Sequence, residues 1–342
     1  MRPIPPAKSL TPDIFNASSP SPTTNENTNN KGINRILKIL PTFPWSLGIA
    51  LGMMAFFSQH PEWHGDLLAF RETADALRHP YWARWLFWLI SLPPEPVAFV
   101  GLSLAGTGSL YWAARVFGGR HWLVFTSFAF AWILFYGQID GLVVGGLALA
   151  WYALKAERPV LLGAGIMVAL MKPQLSLPMV LAIWWWSPNR LKSFIIPGII
   201  LAVTFIQWGW WIPAWISRLF ETQDLVLLSR NISLWQVIGP GALLIWPIIL
   251  VLRIPRERKI FAIAAATAMS VPYFPLPSAV SLLVFPISTL AWVIVQLPLL
   301  GGLIGYWIYH IGILLPVGTL AWILRPEISR SWAHLKMLKS TH

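Results

Sequence analysis

The chain has no cysteine among its 342 residues and only thirteen Asp and Glu. The first absence excludes a disulfide framework, a Cys-ligated zinc or iron–sulfur site and a thiol nucleophile. The second, with charged residues at 11% against about 25% in an ordinary soluble domain, argues against a soluble globule. No secretory leader is expected either, because the first apolar run begins near Phe43 without a small-residue cleavage site. What fills the chain instead is apolar: 56% hydrophobic residues with 22 Trp and 18 Phe. Runs of about 15 to 22 apolar residues recur from Pro44 to Leu324, the spacing that a bilayer core of ~30 Å imposes on helices. The expectation is an all-α, polytopic transmembrane helical bundle of about 10–12 hydrophobic elements.

Residues 1–30, rich in Pro, Ser, Thr and Asn, read as a disordered cytoplasmic tail. Residues 31–324 read as the membrane domain and 325–342 as a cytoplasmic C-terminal tail. Spans are predicted at about Phe43–Phe57, Pro96–Phe117, His121–Tyr136, Asp140–Leu154, Ser193–Ile212, Leu234–Leu252, Ile260–Tyr273, Ala279–Gln296 and Gly302–Leu324. Residues 160–186 are interrupted by Lys172-Pro173-Gln174, and each flank is too short to cross, so a broken hairpin is expected there. The net charge of +12 raises no nucleic-acid partner, because the bases sit in short loops between apolar runs. Loops around Arg115–His121, Lys155–Arg158, Arg190–Lys192 and Arg253–Lys259 carry ten Lys and Arg and are assigned to the cytoplasm. That leaves 58–95, the 137–140 turn, 213–233 and 273–278 outside.

Acids being scarce, their placement is informative. Glu62, Asp66, Glu72 and Asp75 all fall in the first outer segment. There Leu67, Phe70, Ala74 and Leu77 recur at helical spacing opposite Arg71, Glu72, Asp75 and Arg78, the pattern of a helix lying on the membrane surface. Asp66 opens that helix, either as an N-cap or as a carboxylate presented to a site. Glu62, Glu72 and Asp75 read as a solvated face paired with Arg71 and Arg78. His60 and His64 are available as ligands or proton carriers, but the spacing supports no metal site. Lys172, in the middle of an apolar stretch, either faces a polar cavity or snorkels to the interface. Gln138 and Asp140 mark an outer turn at Gly137, Arg230 and Asn231 precede a late span, and Tyr273 lies in a Pro-flanked turn. Under one topology all fall on the outer side, with Lys172 within reach. The Trp clusters read as interfacial belts.

The ordered set Gly137-Gln138-Ile139-Asp140, Lys172-Pro173-Gln174, Arg230-Asn231-Ile232-Ser233 and Pro272-Tyr273-Phe274 resembles glycosyltransferase family 87, over about Trp45 to Ser288. Asp66, Phe70, Ala74, Leu77 and Pro80-Tyr81 stand in the order of that family's first outer loop. The glycine that usually precedes the Pro-Tyr is missing. The resemblance implies a hexosyltransferase of the bacterial plasma membrane that needs no cofactor. It would move a sugar, often mannose, from a polyprenyl-phosphate carrier to a lipid or glycan acceptor on the outer face. It makes Asp66 the general base, Lys172 and Arg230 candidates for the phosphate, and Gln138, Asn231, Asp140 and Tyr273 their neighbours in the substrate site. Other classes open to the same residues are a transporter or flippase of a lipid-linked or anionic substrate, and an inactive membrane scaffold.

Overall fold

The computed structural model describes residues 44–72, 79–221, 231–300 and 311–340. Arg230, Asp75 and the tail before Pro44 lie outside them. Among the described residues all regular structure is helical, apart from one isolated bridge between Asn231 and Pro275.

The helices are α1 (Pro44–Phe57), α2 (Gly65–Glu72), α3 (Ala83–Ser91), α4 (Glu95–Phe117), α5 (His121–Phe125), α6 (Phe128–Tyr136), α7 (Asp140–Lys155), α8 (Pro159–Ala169), α9 (Pro173–Trp186), α10 (Ile195–Trp208), α11 (Ile212–Glu221), α12 (Ile245–Val251), α13 (Arg256–Ser270), α14 (Thr289–Gln296) and α15 (Leu314–Ser340), joined by shorter turns. Helix α7 is central, packed between α4 and α8 and touching α9, and α13 bridges α9 to α15.

The close approach of α7 to its neighbours is written in glycines. A Cβ on Gly141 would lie 2.8 Å from Gly106 Cα on α4, and one on Gly146 would lie 2.5 Å from the Ala169 backbone nitrogen on α8. Gly165 on α8 faces Ala150 on α7 at the same closeness, 2.5 Å. Helices meeting backbone to backbone in this way hold through dispersion contacts, the usual source of helix association where water is scarce.

The predicted spans fare unevenly. Among the described residues only α4, at 23 residues, is long and apolar enough to cross a membrane by itself. The α6–α7 pair qualifies only as one span bent by 115°. The expected His121–Tyr136 span breaks at Thr126 and Ser127, where the Ser127 hydroxyl accepts from Phe130 N and caps α6. The Leu234–Leu252 and Ala279–Gln296 spans each resolve into short α and 3-10 segments. Pro240, in the 3-10 segment Gly239–Leu244, and Pro286, between Leu283 and Thr289, stand at the interruptions. Conversely, α15 runs on through the expected 324/325 boundary to Ser340. The break in 160–186 falls between α8 and α9, with Pro173 at the first position of α9, where a missing N–H does no harm.

Apolar side chains remain on the outside in numbers. Leu191, Ile206 and Val251 are 89%, 87% and 76% exposed. Exposed apolar side chains in such numbers are the surface of a protein that meets lipid or a partner.

Candidate functional site

The site is built around one turn. Helix α6 ends at Gly137, which takes the left-handed conformation (φ 65°) and accepts no side chain, since a Cβ there would sit 2.6 Å from Leu67 Cβ. Leu67 is buried on α2, so the turn and the start of α2 are clamped together. Asp66 lies beside it in the first turn of α2, one position inside the helix rather than at its cap. Gln138 Nε2 donates to Asp66 Oδ2 at 2.7 Å. The other end of that amide, Gln138 Oε1, is buried without a donor among the described residues.

Two residues on, Asp140 enters α7 with its carboxylate fully buried. Lys172 Nζ donates to Asp140 Oδ2 at 2.7 Å and to Ser278 Oγ at 3.4 Å, and Ser278 Oγ donates to Asp140 Oδ1 at 2.5 Å. The lysine can reach this point because it is the last residue before α9, where the chain leaves helical geometry (φ −133°, ψ 77°). A lone buried ammonium or carboxylate is costly, and the closed triangle of ion pair and hydroxyl offsets that cost for both. Lys172 therefore neither snorkels nor stands as an uncompensated cation: its charge is matched by Asp140.

His79 adds a third element to this corner. Its Nδ1–H donates to Met171 O at 2.8 Å, the residue before Lys172, and its ring packs edge-on to Phe70 of α2 and Phe87 of α3. Burial lowers its pKa to about 4, Lys172 pushes the same way, and Asp140 and the Met171 hydrogen bond oppose. The imidazole is neutral at physiological pH and ties the segment before α3 to the break between α8 and α9.

The remaining sequence candidates separate. Asn231 works on the backbone: its Oδ1 accepts from Ser233 N and Phe274 N, and its Nδ2 donates to Pro272 O. With the Asn231–Pro275 bridge it pins the turn that carries Tyr273, so its amide is engaged in structure. Arg71 does not pair along a solvated face. It donates to the carbonyls of Ile90 and Pro93, closing the end of α3. His60 is paired with Glu62 on the surface at 3.2 Å and stacked on Trp63. His64 is buried between Glu95 Oε1 (2.5 Å) and Phe57 O (3.0 Å), and stacks on Phe99. Among the described residues no three His, Asp or Glu converge as a metal set.

Sequence reasoning missed Ser278, His79 and the His64–Glu95 contact. Nothing in a serine between Pro277 and Ala279, or in a single histidine before Pro80, signals a buried role. Only a carboxylate or carbonyl brought from a distant segment reveals it.

Chemically, the corner offers one partly exposed carboxylate, Asp66, oriented by an amide, next to a charge-neutral buried network. No family model, curated protein or solved structure matches the chain.

Proposed function

We propose that the protein is an integral membrane hexosyltransferase that moves a sugar, mannose in the first instance, from a polyprenyl-phosphate carrier to a hydroxyl of a lipid or glycan acceptor. The setting is a multi-pass domain of the bacterial plasma membrane, with the site on its outer face. The observation that carries the reading is Asp66: a carboxylate at the start of an outer-segment helix, only partly buried and held by Gln138 at 2.7 Å.

The acceptor oxygen attacks the anomeric carbon while its proton passes to Asp66. The bond from that carbon to the phosphate oxygen breaks, and its electron pair leaves on the phosphate, inverting the centre. A phosphate departs without being protonated, so no second carboxylic acid is needed and positive charge near the leaving oxygens suffices. Arg230 is the candidate for that charge. Lys172, with two N–H groups directed to Asp140 and Ser278, is better suited to hold the turn than to bind the phosphate alone.

The test is incubation of the purified protein with radiolabelled polyprenyl-phosphate sugars and membrane lipid extract. Transfer of label to a new product, lost on Asp66→Asn with insertion intact, is expected; full activity of that variant removes Asp66 from the mechanism. The buried Asp140–Lys172 pair favours one second reading, a carrier of a lipid-linked or anionic substrate, since ionisable residues in apolar surroundings often line a transport path. Movement of labelled lipid across vesicles with no new glycosidic bond would select it.

A further inference from the structure

Away from the Asp66 corner, a groove of about 300 Å³ runs between α14 and α15. Leu290 and Ile294 of α14 form one wall, and Leu314, Gly318, Ala321 and Arg325 of α15 form the other. The α15 residues recur every three or four positions and so make one stripe along the helix. From Leu314 to Arg325 that stripe is roughly 16 Å long at ~1.5 Å per residue, the depth of one leaflet of a ~30 Å core. Among the described residues the groove is open: a Cβ on Gly318 would meet nothing within 4 Å, and Leu290 and Leu314 are 67% and 54% exposed. Its lining holds no Asp or Glu, and its one charge, Arg325, ends the stripe with the Trp322 ring 5.8 Å from the guanidinium carbon. Arg258, at the start of α13, bonds Ile323 O and the Glu327 carboxylate, one on either side of Arg325 in sequence. Arg325 therefore stands level with the basic loop 253–259, and Glu327 is engaged by Arg258.

Resting on the membrane setting proposed above, but not on sugar transfer, we propose that this groove binds an anionic diacyl phospholipid. One acyl chain lies along the stripe from Leu314 to Ala321, and the headgroup phosphate meets the Arg325 guanidinium, whose planar fork suits phosphate oxygens. The occupant has to be apolar over the depth of one leaflet and negative at one end, which describes a phospholipid. About 300 Å³ over that length takes an extended chain and is too slender for a helix of ~10–12 Å diameter. A second copy fits poorly as well, because it would bring a chain of net charge +12 to a mouth that is already basic. Trp322 sits beside the cation, at the headgroup level where an indole ring is favoured. The loop 253–259 is on the side assigned to the cytoplasm, where anionic lipids give the membrane surface its negative potential.

The test places the full chain in bilayer discs of mixed phosphatidylcholine and phosphatidylglycerol, with a trace of one or the other carrying a photoreactive diazirine in its acyl chain, and maps the labelled peptides. Phosphatidylglycerol should label the groove walls about five-fold more than phosphatidylcholine does, the preference that one basic side chain near the surface supplies. Arg325→Gln should make the two lipids equal, and Arg325→Lys should keep most of the preference. Gly318→Leu should remove groove labelling by both lipids and leave labelling at the exposed Ile206 unchanged. Equal labelling by the two lipids in the wild type, or a preference that survives Arg325→Gln, overturns the proposal. So does groove labelling undiminished in Gly318→Leu, which would mark the lipid as ordinary bilayer contact. A lower unfolding midpoint for Gly318→Leu in lipid-free detergent would show that the chain itself fills the groove, and cross-links between chains would assign it to a second copy; either result overturns the lipid assignment. Extraction of cell membranes with alkaline carbonate separates the two levels. Release of the protein would overturn the membrane reading and this one with it, whereas retention with no preferential labelling would overturn this one alone.

Discussion

Lys172 shows how far a single residue could be read. A cation in an apolar stretch announces itself in the sequence, but its partner lies 32 positions away on α7 and the hydroxyl that completes the pair is 106 away. Distance along the chain hid both. Because the pair is buried, removing one member leaves the other uncompensated: Lys172→Ala should lower stability by ~3–5 kcal/mol. The double variant Lys172→Met with Asp140→Asn should recover much of that loss. Thermal unfolding in detergent measures both, and equal midpoints for Lys172→Ala and wild type would show that the pair is not desolvated. His79 gives a second residue-scale expectation. Its folded pKa is about 4, below the 6.5 of an unfolded histidine, so between those values the unfolded chain binds more protons. Its contribution is fully present above pH 6.5 and is lost as pH falls towards 4. His79→Gln should flatten the stability profile in that window, and a profile as steep as the wild type would assign the slope to other groups.

Elements were legible where a proline or a long apolar run defined them, and obscure where a hydroxyl or a glycine did. Pro173 marked the start of α9, and α4 emerged whole from a run predicted as Pro96–Phe117. The Thr126–Ser127 break did not show, because Ser127 caps α6 through its side chain in a stretch whose composition is otherwise apolar. Glycines behave likewise: in sequence they are interchangeable, while in the fold they divide by what a methyl group would meet. Gly146 abuts the backbone of α8, whereas Gly101 and Gly108 on α4 face open space. Gly146→Ala should force α7 and α8 apart and destabilise by ~1–3 kcal/mol. Gly108→Ala should be neutral or stabilise by up to ~1 kcal/mol, because alanine lowers the entropy of the unfolded helix segment. Unfolding midpoints of the two variants in one buffer make the comparison; the opposite order would mean that α7 and α8 are not packed at backbone distance.

At the scale of the whole molecule, length and surface pull in different directions. Helices of 14 to 16 residues, such as α1, α7 and α10, span roughly 21–24 Å at ~1.5 Å per residue, short of a ~30 Å core. On the proposed membrane reading, the exposed apolar side chains and the ten bases in four loops belong to a chain threaded through lipid. The two agree if short helices cross in tandem, end to end, with the breaks buried inside protein where polar backbone is tolerated, as the α8–α9 break is by His79 and Asp140. That arrangement fixes sides. The proposed topology puts Glu62 outside with the Asp66 segment, and Glu157, exposed at the α7–α8 turn, inside with the basic loops. The absence of native cysteine makes the check direct, because any single cysteine is labelled without background. In intact cells a membrane-impermeant maleimide should label Glu62→Cys and spare Glu157→Cys, which should react only after permeabilisation. Labelling of both from one side would break the tandem-crossing topology and remove the outer face from the proposed reaction.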